Sequence, residues 1–130
     1  MHIKTFLLIL SLTTGIPSLT SAQSKNLSKE FDSCMNRSGG VTIGMIECMV
    51  QETEKQDARL NREYKKIMSQ LSDERKKTLL VAQRAWIRYR DSNCAFYADP
   101  EGGTMARVLA NSCVMSMTAE RADEIASINN

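Results

Sequence analysis

Four cysteines, Cys34, Cys48, Cys94 and Cys113, are spread through a chain of 130 residues, and all of them follow an amino-terminal stretch with the form of a secretory leader. No other feature restricts the fold as much. An even number of cysteines in a small exported chain implies a disulfide frame. Two cross-links then support a core of only modest size. The one histidine, His2, lies inside the leader. Histidine is the usual general base, nucleophile activator and metal ligand. The rest of the chain therefore reads as a binding module and not an enzyme: no catalytic residue, metal site or cofactor is expected.

Residues 1–22 are expected to be a signal peptide that is removed. His2 and Lys4 form a basic start, an apolar run begins at Phe6, and Thr20-Ser21-Ala22 places small residues before a cut ahead of Gln23. Gly15 and Pro17 break the apolar run too early for a membrane span. No second apolar run follows, so no membrane insertion is expected after cleavage, and the protein should be periplasmic or secreted. No cysteine follows the cut, so no lipid anchor is expected there. Residues 23–30 read as a flexible N-terminus, and 31–130 as a single domain. Lys and Arg total 17 against 15 Asp and Glu, which leaves no electrostatic footprint for nucleic acid.

One proline, Pro100, follows the leader, so little interrupts a helical reading. Ser38-Gly39-Gly40 ends a short first helix carrying Phe31 and Cys34. A long helix is expected from about Thr42 to Leu71. Its seam, Ile46, Val50, Thr53, Asp57, Leu60, Tyr64, Ile67 and Leu71, steps by three and four. Ser72 is a fitting N-cap for the next helix, with Asp73 and Glu74 in its first turn. That helix carries Leu79, Gln83, Trp86 and Arg90. It stops at Ala98-Asp99-Pro100-Glu101-Gly102-Gly103, the clearest loop signal present. A last helix follows from about Thr104. No alternating strand pattern occurs. The expected fold is all-α: a small antiparallel bundle in which a long α-hairpin is joined by a short N-terminal and a C-terminal helix.

The tight turn at Ser72 sets a register that places Asp57 opposite residue 87, within one turn of Gln83 and Arg90. A buried single charge is too costly to persist. The natural resolution is an Arg90–Asp57 pair whose remaining hydrogen bonds go to Gln83 or Asn61. These four residues are thus expected to form a structural polar network, and Trp86 to be core. Glu52 is expected on a solvated face. The methionines read as core fillers. The register also gathers all four cysteines at one end of the bundle. The pairing 34–48 with 94–113 is preferred, and 48–94 with 34–113 stays geometrically open.

The motifs Asp57-x-x-Leu60-Asn61-x-x-Tyr64, Gln83-x-x-Trp86-x-x-x-Arg90-Asp91-x-x-Cys94, Gly102-Gly103 followed by Cys113, and Thr118-x-x-Arg121 form a recognisable series. Together with Cys34 and Cys48 they resemble the N-terminal domain of the LprI family of lysozyme inhibitors. The family takes its name from a lipoprotein, and this chain lacks the lipidation cysteine, so the resemblance does not imply membrane anchoring. It implies an exported helical domain with a protein partner such as a lysozyme. An inhibitor needs a rigid frame that presents a protruding element. The loop with Asp99, Glu101, Gly102 and Gly103, set between Cys94 and Cys113, is the candidate partner-binding element. The alternative is a periplasmic accessory or immunity module with another protein partner.

Overall fold

The computed structural model describes residues 26–128, which form four helices and no strand: α1 (Lys29–Ser38), α2 (Thr42–Gln70), α3 (Asp73–Phe96) and α4 (Gly103–Ile128). The expected signal peptide, and residues 23–25 of the expected flexible segment, lie outside the described residues. The all-α bundle with two disulfides is the fold that the cysteine spacing and helical periodicity called for. Among the described residues no helix is long and apolar enough to cross a membrane.

Local chemistry sets the helix ends. The Ser28 hydroxyl accepts the Phe31 N–H at 3.2 Å and caps α1, with Glu30 and Asp32 in its first turn. Glu30 is held below its ordinary pKa chiefly by its own backbone N–H, then by the Lys55 ammonium 3.5 Å away. Ser72 stands in extended backbone before α3, where its carbonyl accepts the Lys76 N–H at 2.9 Å. Its hydroxyl makes no capping bond, contrary to expectation. Asp73 and Glu74 remain as the favourable charges of that first turn.

Helix α4 is the centre of the bundle. It runs parallel to α2: Leu60 and Ile67 of α2 pack with Ala122 and Ile125 of α4, all 4% exposed or less. Tyr64, Leu71, Leu79 and Trp86 close this cluster from its flanks. A second cluster joins Met49 to Val108 and Met115, roofed by Phe31 and Met35 of α1 and by Leu27. Helix α3 returns antiparallel along α4, with Cys94 beside Cys113 and Gln83 beside Arg121. The α2–α3 hairpin is thus antiparallel, but the main packing partner of both arms is α4.

That arrangement rotates α2 away from its expected seam. The buried residues are Cys48, Met49, Glu52, Gln56, Leu60 and Ile67, while Val50 and Asp57 face solvent. The physical reason lies on α4. Ala119 and Ala122 are fully buried, and their small side chains let α2 approach closely enough for Arg59 to reach the Ala119 carbonyl at 3.0 Å. Polar Glu52 and Gln56 then turn inward because partners await them.

Those partners come from the segment expected to be flexible. The Ser28 N–H donates to Glu52 Oε1 at 2.8 Å, and the Ser28 hydroxyl donates to Oε2. Gln56 Nε2 donates to Glu52 Oε1 at 2.6 Å and to the Asn26 carbonyl at 2.9 Å. Residues 26–28 are therefore tied to α2 by a buried carboxylate and to the second cluster by Leu27.

Candidate protein-binding site

The α3–α4 connection is built by short-range bonds. Tyr97 and Ala98 donate their N–H groups to the carbonyls of Cys94 and Ala95, which ends α3. The Asp99 carboxylate accepts the Glu101 N–H at 2.9 Å, and the Asp99 carbonyl accepts the Gly102 N–H at 3.1 Å. This pair of bonds makes an Asx-type turn stiffened by Pro100. The two glycines have separate reasons. A Cβ on Gly102 would stand 2.7 Å from the Ala106 Cβ, and Gly103 has φ +62°, where a side chain is strained.

The disulfides frame this end. Cys34–Cys48 and Cys94–Cys113 have Cα separations of 5.7 and 5.5 Å, and none of the described cysteines is free. The preferred pairing is the one formed. With sequence separations of 14 and 19, each restricts the unfolded chain by about 3 kcal/mol in the chain-entropy model. The loop between Cys94 and Cys113 is consequently held at both ends.

A groove of about 510 Å³ opens beside the loop, walled by Phe96, Tyr97, Asp99 and Pro100 on one side and by Met105 and Leu109 of α4 on the other. Its apolar walls are not covered: Phe96 is 82% exposed, Met105 58%, Leu109 49% and Tyr97 42%. The Phe96 and Tyr97 rings meet edge to face at 5.7 Å. Large apolar side chains grouped at a surface mark interaction sites more often than single ones do. Neither Asp99 nor Glu101 has a cationic partner among the described residues.

The expected polar network is divided in two. Asp57 lies on the exposed face of α2 and accepts from Asn61 Nδ2 at 3.0 Å. Arg90 pairs instead with the neighbouring Asp91, through Nε at 2.9 Å and Nη2 at 2.8 Å, and it reaches Thr118 Oγ1 at 3.4 Å. Asp57 and Arg90 therefore do not meet. Gln83 accepts from Arg121 Nε at 3.0 Å, and Arg121 also binds Glu124. Both guanidiniums stack on Trp86, at 5.2 and 5.8 Å from the ring centroid. The polar partners of the Trp86 stripe are thus on α4, Thr118 and Arg121, because α3 packs more closely on α4 than on α2.

Sequence reasoning missed the polar cluster around Glu52. Glu52 is 1% exposed and Gln56 4%, and Arg59 joins them by donating to Gln56 Oε1 at 2.8 Å and to Asp123. A signal was present: Met49, Glu52, Gln56 and Leu60 also step by three and four. The apolar choice at Val50 concealed it. Among the described residues no group of His, Cys, Asp or Glu is placed to hold a metal ion.

The family follows from the extent of the match. Residues 34–125 match the family model described as Lysozyme inhibitor LprI. The chain belongs to the LprI family. The match takes in both disulfides, the groove and the Trp86 cluster, so the LprI pattern covers the frame and its candidate site together. A curated relative, Uncharacterized protein R02472 of Rhizobium meliloti (strain 1021), is 29% identical over 92 residues, covering 60% of this chain and 66% of that protein. The match thus falls just short of two thirds of that relative's length. No solved structure matches this LprI chain significantly.

Proposed function

We propose that this chain is an exported binding protein that inhibits a lysozyme, a peptidoglycan muramidase, and that it acts in the periplasm or outside the cell without catalysing a reaction. Membership of the LprI family supports a lysozyme-type protein partner. Two disulfides fit an oxidising compartment. The observation that carries the reading is the exposed aromatic and acidic loop between Cys94 and Cys113. A rigid element that stands ready for contact loses little freedom on binding. The carboxylates of Asp99 and Glu101 would favour encounter with a basic enzyme surface.

The test is cell-wall lysis by lysozymes of several classes, each mixed with the oxidised protein. The variant Asp99→Ser/Glu101→Ser should keep its helical content and thermal midpoint. Its inhibition should fall about tenfold and lose most of its salt dependence. Equal inhibition by wild type and variant at every ionic strength would move the contact surface elsewhere. Absence of inhibition against every lysozyme class would overturn the inhibitor reading in favour of a periplasmic accessory or immunity module.

A further inference from the structure

We infer that the groove beside the loop is built for one arginine side chain projecting from the partner's surface. This rests on the reading above that the loop end of the molecule is the contact face, and it names the chemistry of the guest.

No basic residue lines the groove. Its walls at Phe96, Met105 and Leu109 are apolar and uncovered, while Asp99 lines it without a cation and Glu101, next in the same turn though not in the lining, has none either. Arg107, the nearest basic residue in the sequence, is not among the lining residues. The guest must therefore supply both an apolar body and a positive end. Arginine and lysine have that form, since their methylene stems lie along apolar surface while the charged head stays at its edge.

The geometry of the rim selects arginine. Asp99 Oδ1 accepts the Glu101 N–H, which fixes the carboxylate, and Oδ2 makes no bond with any described residue. The Glu101 carboxylate is two residues away on the same turn and makes no bond with any described residue. A planar fork of five N–H donors can address two separate carboxylates, and its flat face can lie on an aromatic ring such as that of Tyr97. A lysine ammonium is a point charge that does neither as well. Gly102 keeps the turn against Ala106, and the Cys94–Cys113 bond holds both walls at a set spacing. The site is thus pre-organised and not created by the guest.

The experiment titrates the oxidised protein with N-acetyl-arginine amide, N-acetyl-citrulline amide and N-acetyl-norleucine amide, and follows amide resonances by NMR. Arginine amide should shift residues 96–109 at millimolar concentration. Citrulline keeps the planar shape without the charge, and it should bind about tenfold more weakly. The variant Asp99→Asn/Glu101→Gln, which retains the turn acceptor, should abolish that difference, and Leu109→Ser should weaken all three probes. Norleucine amide binding as well as arginine amide would show a purely apolar pocket and overturn the inference. So would arginine shifts that fall outside 96–109 or are absent. Lysis assays separate the two claims. Inhibition of a lysozyme with no arginine preference in the groove removes the inference and leaves the inhibitor reading. An arginine-selective groove on a protein that inhibits no lysozyme does the reverse.

Discussion

Helices α3 and α4 have 24 and 26 residues and share one loop and one disulfide, yet α4 buries eight of its side chains and α3 only Cys94. The difference lies in what each inner stripe is made of. Val108, Met115, Ala122 and Ile125 of α4 pack against α2 with apolar groups. The inner stripe of α3 is Leu79, Gln83, Trp86, Arg90 and Asn93, all only half-buried. Three of these five are polar, and each has a hydrogen bond to α4: Gln83 with Arg121, Arg90 with Thr118 besides its pair with Asp91, and Asn93 with Cys113 and Met117. Helix α4 is thus held by burial, which is non-directional and proportional to area. Helix α3 is held by attachments: a disulfide near one end, the Arg121 guanidinium of α4 on Trp86 in the middle, and the Ser72 turn at the other end. Elements with few buried apolar contacts open locally at lower free energy. The α2–α4 pair is the frame, and α3 is the arm that carries one wall of the groove.

Core substitutions give the largest contrast. Ile125→Ala should cost about 2–5 kcal/mol in urea unfolding, because the side chain is fully buried between α2 and α4. Val81→Ala on the outer side of α3, where Val81 is 66% exposed, should stay within about 0.5 kcal/mol. Similar costs at the two sites would erase the distinction between frame and arm. Removing the staple comes next. Cys94→Ser/Cys113→Ser should lower stability by about 3 kcal/mol. Amide hydrogen exchange should rise in α3 well before the α4 residues that face α2. Uniform acceleration would make α3 as integral as α4. The smallest effect concerns the two carboxylates of α2. Glu52→Gln should cost about 1–3 kcal/mol by weakening buried bonds to Ser28 and Gln56. Asp57→Asn should change the thermal midpoint little, since Asp57 is exposed. A larger loss at Asp57 would return it to the interior of the bundle.

The Glu52 and Asp57 pair also shows where reading a sequence by periodicity reaches its end. On a helix as long as α2 two seams of three-and-four spacing coexist, one through Val50 and Asp57 and one through Glu52 and Gln56. Hydrophobicity favours the first at Val50. The structure adopts the second, because Ser28 and Asn26 supply hydrogen bonds to Glu52 and Gln56 from a distant part of the chain. The candidate loop was legible for the opposite reason. Asp99, Pro100, Gly102 and Gly103 act through local bonds, an Asx turn, a fixed proline ring and a positive φ, and none needs a distant partner. The aromatic wall of the groove was not legible. Phe96 sits at helical spacing from Tyr89 and looks like core until α4 is known to pass it by.

The sequence alone determined the helices, the presence of a disulfide frame and the turn at Asp99–Gly102, because helical propensity and turn chemistry act over a few residues. The choice between two cysteine pairings was left to the packed chain. Tertiary structure decided which faces those helices bury. Ala119 and Ala122 draw α2 onto α4, and that single contact turns Glu52 inward, Asp57 outward, and assigns Arg90 and Gln83 to partners on α4. A buried charge or amide takes its place from whatever donor or acceptor lies across the interface, and the identity of that neighbour is a property of the packed chain and not of any segment of it.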